Sequence, residues 1–375
     1  MTAAGPARGI PLLFAGGGTG GHLYPGLAIA RALCRAEPAV HPVFVGARRG
    51  IERDVLPTTE FPHVLLDLHP LYRARPWENW RTAVGLAGAW RRIGAIAREQ
   101  HPRAAVATGG YASGAVLAYA AAHGIPTFIQ ESNSHPGLTT RVFARFAREV
   151  HLGYPEAAAL LPRGRARVVD TGNPIEPPPV RRPDPRRTRA SWELPADGRV
   201  MLVVGGSQGA RAINDAVLAW ITAGLPDGVH VIWSTGRQGH ERYRHVDGPR
   251  VKVRPYLQPI TEAYATSDFA LCRAGAMTTS ELCAWGIPSI LVPLPTAAAD
   301  HQTKNAVALA ASGAARMVSQ AELTAARLAA EVADMLRGET LAHRASKALE
   351  RARPDAAETI ARRILTALDL KQLHS

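Results

Sequence analysis

Two stretches of the sequence share one pattern, an apolar run followed by a glycine-rich turn and then a helix. In the first stretch the run 10–15 precedes the glycines of 16–21, and in the second the run 200–204 precedes those of 205–209. Both runs are continuously apolar, as expected of parallel strands that are covered on both faces. This order is that of the first unit of a Rossmann-like domain. The sequence therefore predicts an α/β chain with two Rossmann-like domains.

A proline-rich stretch separates the two patterns. Residues 173–199 contain seven prolines, which disfavour regular structure and are typical of an interdomain linker. We predict one domain over 1–174 and a second over 175–354, followed by a C-terminal helix over 355–372. The length of 375 residues agrees with two domains at roughly 100–200 residues each.

Other segments predict further elements of this architecture. Asp355 and Glu358 have the spacing of a capping box at the start of the last helix, whose apolar stripe must pack on another element. Six short apolar runs predict additional buried strands, at 43–45, 104–107, 127–129, 230–233, 269–272 and 289–292.

The charge and cysteine content limit the possible functions. Forty-four basic residues against thirty-one acidic ones give a net charge of +13, which favours phosphates, nucleic acid or an anionic membrane as partner. The three cysteines form no CxxC pair, so neither a zinc site nor a disulfide framework is predicted. The uncharged run 104–130 is broken by glycine and proline turns, and we predict neither a membrane span nor a signal peptide.

The first glycine loop matches the GxGxxG fingerprint but lacks the signals that usually accompany it. Arg48 and Arg49 stand where an acidic residue would bind a ribose, which leaves an NADP-dependent oxidoreductase open. His22 replaces the lysine of a P-loop, so a P-loop NTPase is not favoured. Glycine turns before helices bind anions, and residues 273–281 form a third such turn. A non-catalytic anion-binding module is a further alternative, although no nucleic-acid-binding signature accompanies the charge.

Six collinear motifs resemble one known family. They occupy 15–26, 108–114, 130–139, 205–210, 273–281 and 300–306. Together they resemble the N-acetylglucosaminyltransferases that make the last membrane-bound peptidoglycan precursor. The resemblance implies a GT-B fold, two Rossmann-like domains facing across a cleft, with the last helix returning to the first domain. It implies UDP-N-acetylglucosamine as donor, the polyprenyl-diphosphate-linked lipid I as acceptor, no cofactor and no nucleic acid. It also implies a peripheral location on the cytoplasmic face of the cell (inner) membrane.

The resemblance also assigns roles to single residues. Glu281 would hold the donor ribose, Ser207 the donor phosphate and Gln302 the sugar hydroxyls. The remaining donor-side positions would act through backbone atoms, with Leu257 at the uracil and Ala276, Met277 and Thr278 at a helix start. The expected residues of the facing domain are Thr19, Gly20 and Gly21 along the cleft, Asn133 near the donor sugar and Tyr111 on the acceptor side.

One position departs from the family pattern. The family commonly has an arginine two residues after Gly-Asn-Pro, whereas Glu176 stands there in this chain. A donor contact from that position is therefore not expected, and Arg181 or Arg182 are the candidates to replace it.

The expected reaction is a direct displacement at the anomeric carbon, with inversion. We predict His22 as the general base because histidine exchanges protons near neutral pH, with Glu131 as the rival candidate. No acidic pair stands where a metal would bridge the leaving diphosphate, so no metal ligand is predicted and helix N-termini would stabilise that group.

The segment 72–103 combines seven arginines with three tryptophans. Such a basic, aromatic segment is typical of binding at an anionic membrane surface. We predict that the loop with Leu71, Tyr72, Trp77 and Trp80 meets the bilayer. The stripe that includes Leu86, Trp90 and Ile93 is expected to pack on the sheet. Another GT-B transferase with a different lipid acceptor is the nearest alternative.

Overall fold

The computed structural model describes residues 9–68, 79–206 and 209–370, and of residues 79–84 and 185 it describes the backbone alone. The chain divides into two compact units. The first comprises Met1–Ile175 with Pro354–Ser375, and the second comprises Glu176–Arg353. Among the described helices, none is both long enough and apolar enough to cross a bilayer.

The described part of the first unit contains a seven-stranded parallel sheet of order β3-β2-β1-β4-β5-β6-β7. Its strands are β1 (Ile10–Gly16), β2 (Val40–Ala47), β3 (His63–Leu66), β4 (Ala104–Gly109), β5 (Thr127–Glu131), β6 (Glu149–Leu152) and β7 (Arg167–Asp170). The helices between them are α1 (Gly20–Ala36), α2 (Glu52–Val55), α3 (Asn79–Gln100), α4 (Tyr111–Ala122) and α5 (Leu138–Phe143). The strand order reverses between β1 and β4, and ligands of α/β sheets bind at such a point.

The described part of the second unit contains a six-stranded parallel sheet of order β10-β9-β8-β11-β12-β13. Its strands are β8 (Arg199–Val204), β9 (Val229–Ser234), β10 (Val251–Arg254), β11 (Phe269–Cys272), β12 (Ser289–Leu291) and β13 (Ala315–Met317). Its helices are α6 (Pro185–Ser191), α7 (Arg211–Ala223), α8 (His240–Tyr243), α9 (Ile260–Thr266), α10 (Ala276–Trp285), α11 (His301–Ala311), α12 (Ala325–Met335) and α13 (Thr340–Arg351). The order again reverses at the first strand, between β8 and β11, so both units have the doubly wound topology.

The last helix, α14 (Ala356–Ala367), belongs to the first unit. Its Ile360 and Ile364 are fully buried in one core with Leu27 of α1. Arg363 donates two hydrogen bonds to the buried carboxylate of Glu149, at 2.9 and 2.8 Å. The apolar stripe read from the sequence therefore packs on α1, and a bidentate ion pair joins the helix to β6.

The capping box predicted for this helix is absent. Asp355 makes no side-chain bond to the backbone and instead accepts from the Thr359 hydroxyl at 2.9 Å. Glu358 accepts a hydrogen bond from Arg35 of α1 at 2.7 Å. The prediction was wrong because the glutamate pairs with a neighbouring helix, a partner that the local sequence pattern does not contain.

Two other local predictions differ in part from the structure. The expected linker contains helix α6, which Asp184 caps by accepting from the backbone N–H of Arg186 at 3.0 Å. In α3 the buried face carries Ala89, Ile93 and Ile96, whereas Leu86 and Trp90 are 46% and 41% exposed. The face that packs is therefore rotated from the predicted stripe, and Trp90 lies at its margin against Tyr119.

Candidate functional site

A pocket of about 340 Å³ lies in the second unit, where β8 and β11 end. Three sequence motifs meet there. The glycine loop contributes Gly205, Gly206 and Gly209, the start of α10 contributes Thr278, and α11 contributes Gln302. The pocket therefore collects motifs that are almost a hundred residues apart, because each follows a strand that ends at the same edge of the sheet.

Glycine is required at the turn that forms one wall of this pocket. Gly206 and Gly209 have φ values of +93° and +80°, which other residues rarely adopt. A Cβ atom at Gly209 would also overlap the carbonyl of Thr235. The chain can therefore leave β8 and enter α7 with its backbone lining the pocket.

Two helices begin at this pocket without a side-chain cap or an acidic residue in their first turn, α7 after Ala210 and α10 after Gly275. Their first N–H groups carry the partial positive charge of a helix N-terminus. Arg211 and Arg273 also line the pocket. This combination is suited to a phosphate or diphosphate group.

Arg273 and Gln302 are held in place by the backbone of the segment that follows β12. The Arg273 guanidinium donates to the carbonyls of Val292 and Pro293 at 3.1 and 3.0 Å, and burial lowers its pKa. Oε1 of Gln302 accepts from the backbone N–H of Leu294 at 3.0 Å. This bond fixes the orientation of the amide, so the group that Gln302 offers to a ligand is its amide nitrogen, a donor.

Glu281 lies on α10, one turn beyond Thr278. Its Oε2 accepts a hydrogen bond from the Tyr264 hydroxyl at 2.7 Å. Burial raises the pKa of the Glu281 carboxyl, the Tyr264 hydrogen bond lowers it, and the nearby charge of Glu176 raises it. Glu281 does not line the 340 Å³ pocket itself. The sequence analysis did not identify Tyr264 as a partner of Glu281, because Tyr264 belongs to no recognised motif.

The other residues predicted on the donor side differ in burial. Ala276 and Leu257 are buried, while Met277 is half-buried near the start of α10. Ser207 lies outside the described residues. Arg182 donates to the carbonyls of Trp285 and Ala284, at 2.9 and 3.0 Å, so it is bound to the end of α10.

In the first unit, His22 lies in the first turn of α1. Its Nδ1 lies 3.1 Å from the carbonyl oxygen of Gly17 and 3.3 Å from Oγ1 of Thr19. A carbonyl can only accept, so Nδ1 carries the proton and the neutral ring has its lone pair on Nε2. The ring packs against Gly109, where a Cβ would lie 2.6 Å from it, and the Thr108 hydroxyl donates to the His22 carbonyl at 2.6 Å.

The predicted neighbours of His22 surround the same loop. Thr19 and Gly21 are exposed and Gly20 is half-buried at the start of α1. Tyr111 begins α4, and its ring lies next to Gly18, where a Cβ would be 3.2 Å away.

Glu131 is buried at the end of β5, and its carboxylate accepts four hydrogen bonds. Oε1 accepts from the backbone and side-chain nitrogens of Asn133 at 3.1 and 3.3 Å. Oε2 accepts from the Gly137 N–H at 3.0 Å and the Thr140 hydroxyl at 2.6 Å. Glu131 therefore holds the loop of 132–140 together and orients Asn133.

A buried amide network lies beside this loop. Gln130 donates to Oδ1 of Asn173 at 2.9 Å, and Asn173 donates to the carbonyl of Ser132 at 3.0 Å. Within the ranges 9–68, 79–206 and 209–370, no group of three His, Cys, Asp or Glu side chains is arranged to bind a metal ion.

Comparison with known proteins agrees with this geometry. Residues 12–152 match the glycosyltransferase family 28 N-terminal domain, and residues 200–360 match the C-terminal domain of the same family. A crystal structure of Acinetobacter baumannii MurG superimposes with a TM-score of 0.76 at 26% identity, covering 96% of this chain and 99% of that one. The calicheamicin glycosyltransferase CalG4, at 16% identity and a TM-score of 0.67, shares the fold.

Curated relatives match over nearly their whole length. A Salinibacter ruber protein is 42% identical over 96% of this chain and 97% of its own, and a Moorella thermoacetica protein is 39% identical over 96% and 99%. Both carry the name UDP-N-acetylglucosamine--N-acetylmuramyl-(pentapeptide) pyrophosphoryl-undecaprenol N-acetylglucosamine transferase. With this identity and coverage, and with two Rossmann-like domains of the GT-B class, the chain belongs to this family of N-acetylglucosamine transferases.

Proposed function

We propose that this enzyme transfers N-acetylglucosamine from UDP-N-acetylglucosamine to the 4-hydroxyl of N-acetylmuramic acid in undecaprenyl-diphospho-N-acetylmuramoyl-pentapeptide. The products are lipid II and UDP, and the anomeric centre is inverted. The observation that carries this proposal is the pocket of the second unit, where two uncapped helix starts and two arginines converge. The names of the curated relatives supply the donor and acceptor classes.

The donor diphosphate binds at the glycine loop of 205–209 and at the start of α10. Backbone N–H groups there, with the charge of Arg211, offset the negative charge that develops on the departing UDP. The carboxylate of Glu281 accepts from the ribose hydroxyls, a charge-assisted contact that suits its position on α10. Thr278 and the amide nitrogen of Gln302 face the sugar side of the same ligand.

His22 acts as the general base. Its Nε2 takes the proton of the acceptor hydroxyl while that oxygen bonds to the anomeric carbon and the bond from this carbon to the UDP oxygen breaks. The tautomer inferred from the contact between Nδ1 and Gly17 supports this role, because it leaves the lone pair on Nε2. Glu131 supports the chemistry indirectly, since four donors from its own loop occupy its carboxylate.

The enzyme meets an anionic membrane through the first unit, at the cytoplasmic face of the cell membrane. Leu138, Val142 and Phe146 are 47%, 38% and 60% exposed and follow one another at a spacing of four residues. Arg141, Arg145 and Arg148 are exposed among them. Apolar side chains flanked by cations favour the interface of an anionic bilayer. The expected membrane residues Leu71, Tyr72 and Trp77 lie outside the described residues, as does the side chain of Trp80.

Product analysis tests the reaction. Purified enzyme is incubated with UDP-N-acetylglucosamine and a short-chain lipid I analogue, with and without EDTA. We expect one disaccharide-linked lipid and one equivalent of UDP, unchanged by chelation. Transfer to diacylglycerol but not to the lipid I analogue would overturn the acceptor assignment, and thermal stabilisation by NADPH but not by UDP would overturn the donor.

A separate experiment tests the membrane surface. Vesicles with an anionic lipid should sediment the enzyme at low salt, and Phe146→Ser with Arg145→Gln should weaken binding about tenfold or more. The paired change Val307→Ser and Arg337→Gln alters exposed residues of the second unit and serves as control. Equal binding of both variants would contradict the assignment of this surface.

A further inference from the structure

Glu52 of α2 is a completely buried carboxylate, with 0% exposure and no ion pair in the described part of the chain. A buried carboxylate is costly unless hydrogen bonds compensate for its lost hydration. Its two oxygens accept backbone N–H groups from different strand ends. Oε1 accepts from Ala47, at the end of β2, at 3.1 Å, and Oε2 accepts from Gly18, in the first glycine loop, at 2.9 Å.

Three glycines make room for this side chain. A Cβ at Gly17 or Gly50 would overlap the Glu52 carboxyl group, and one at Gly46 would lie 2.9 Å from its Cβ. None of the three has a positive φ, so backbone conformation does not demand glycine at these positions. Space for the carboxyl group is therefore the reason for glycine at 17 and 50.

One peptide group connects Glu52 with His22. The N–H of Gly18 donates to Glu52, and the carbonyl of Gly17, in the same peptide group, lies 3.1 Å from Nδ1 of His22. The N–H and the C=O of a trans peptide point in opposite directions, so the two hydrogen bonds form a single chain. Such chains polarise each member and strengthen it.

We propose that Glu52 is a positioning residue for catalysis, which orients His22 and selects its tautomer through the peptide bond between Gly17 and Gly18. The proposal rests on the proposed role of His22 as base. It also assigns the Gly18 N–H to protein structure, so that this N–H is not part of an anion-binding site.

The first test replaces Glu52→Gln. The amide keeps the shape of the side chain but directs its NH₂ group at one of the two N–H donors, which weakens the hold on the glycine loop. We expect kcat to fall roughly 10- to 100-fold with the KM for UDP-N-acetylglucosamine within about twofold of wild type. Asp54→Asn is the matched control, since it makes the same change at an exposed carboxylate of the same helix and should alter neither constant.

The second test is a double-mutant cycle with Gly17→Ala, whose methyl group displaces the Glu52 carboxylate. We expect the same loss of kcat in this variant, and little further loss when both changes are combined, because they break one contact. Fully additive losses would show that the two residues act separately and would overturn the proposal.

The tautomer is read directly from the ring ¹⁵N resonances of His22, assigned with a His22→Gln sample. Wild type should show an unprotonated Nε2, and Glu52→Gln should shift the signals toward a mixture of tautomers. Unchanged ¹⁵N signals, or a kcat per folded molecule within twofold of wild type, would overturn the proposal. If wild type forms no disaccharide but the ¹⁵N signals respond, the proposed function fails while the positioning by Glu52 stands.

Discussion

The two glycine loops of this protein look alike in sequence but differ in what their N–H groups contact. The loop of 205–209 opens into a pocket with two arginines and two helix starts. In the loop of 16–21, the N–H of Gly18 is already bound to the buried carboxylate of Glu52. A glycine pattern therefore predicts a tight turn between strand and helix, whereas the groups packed behind the turn decide whether it binds an anion.

The largest effect should come from the first loop. His22→Ala removes the proposed base, and we expect kcat to fall roughly 100-fold or more with little change in the KM for the donor. Steady-state kinetics with both substrates varied will measure this, with His343→Ala at an exposed position as control. A nearly normal kcat with a raised acceptor KM would mean that His22 binds the acceptor and is not the base.

The second unit should respond in nucleotide binding. Glu281→Gln would weaken the proposed charge-assisted hydrogen bonds to the ribose, and we expect the Kd for UDP to rise roughly 10- to 100-fold. Calorimetric titration with UDP measures this directly. Glu262→Gln, at an exposed carboxylate on α9, should bind like wild type. Unchanged UDP affinity in the Glu281 variant would separate Glu281 from the nucleotide.

A buried histidine should make the stability of the first unit sensitive to acid. Burial, with a smaller effect of Arg363, lowers the pKa of His151 in β6 to about 3, so this histidine is neutral in the folded protein. In the unfolded chain His151 takes up a proton near pH 6.5. The contribution of neutral His151 to the free energy of unfolding is therefore complete above that pH. It is lost as the pH falls toward 3, at about 1.4 kcal/mol per pH unit.

The measurement is the free energy of unfolding of His151→Gln against pH between 6.5 and 4. We expect a shallower loss of stability in this variant than in wild type. His343→Gln changes an exposed histidine of the second unit and should follow wild type. A slope for His151→Gln as steep as that of wild type would contradict the assignment.

The smallest effect concerns the pH limits of UDP binding in the second unit. Tyr264→Phe removes the hydrogen bond that lowers the pKa of Glu281, so acid should abolish binding at a higher pH than in wild type. Glu176→Gln removes a charge that raises this pKa, so the same loss should occur at a lower pH. Titrations of UDP affinity against pH should show opposite shifts, and shifts in one direction would rule out Glu281 as the titrating group.

The strands predicted from the sequence are those with a neighbouring strand on each side. All eight predicted apolar runs correspond to strands, namely β1, β2, β4, β5, β8, β9, β11 and β12. The missed strands β3, β7, β10 and β13 are the four sheet edges, where one side is open and the apolar pattern is interrupted. The fifth, β6, lies inside the sheet between β5 and β7, but it carries the buried Glu149 and His151. The buried charge of Glu149 is paired with Arg363, which is more than two hundred residues away.

The site was predicted as motifs but not as a network. The glycine loops are visible in the sequence because a strand, a turn and a helix start are local patterns, whereas Thr278, Glu281 and Gln302 were expected only from the resemblance to the family. Tyr264 and Glu52 were missed because each acts on a residue that the fold brings to it, at separations of 17 and 34 residues.

The sequence alone determined the two Rossmann-like units and their glycine turns, and it predicted an anionic ligand. Apolar strand runs, glycine turns and helix starts each depend on neighbouring residues and can therefore be recognised in the sequence. The packing of α14 on α1, the carboxylate behind Gly18 and the hydroxyl bound to Glu281 were decided by the tertiary structure alone. Hydrogen bonds and ion pairs across the fold require two distant groups at about 3 Å, and a sequence does not contain that distance.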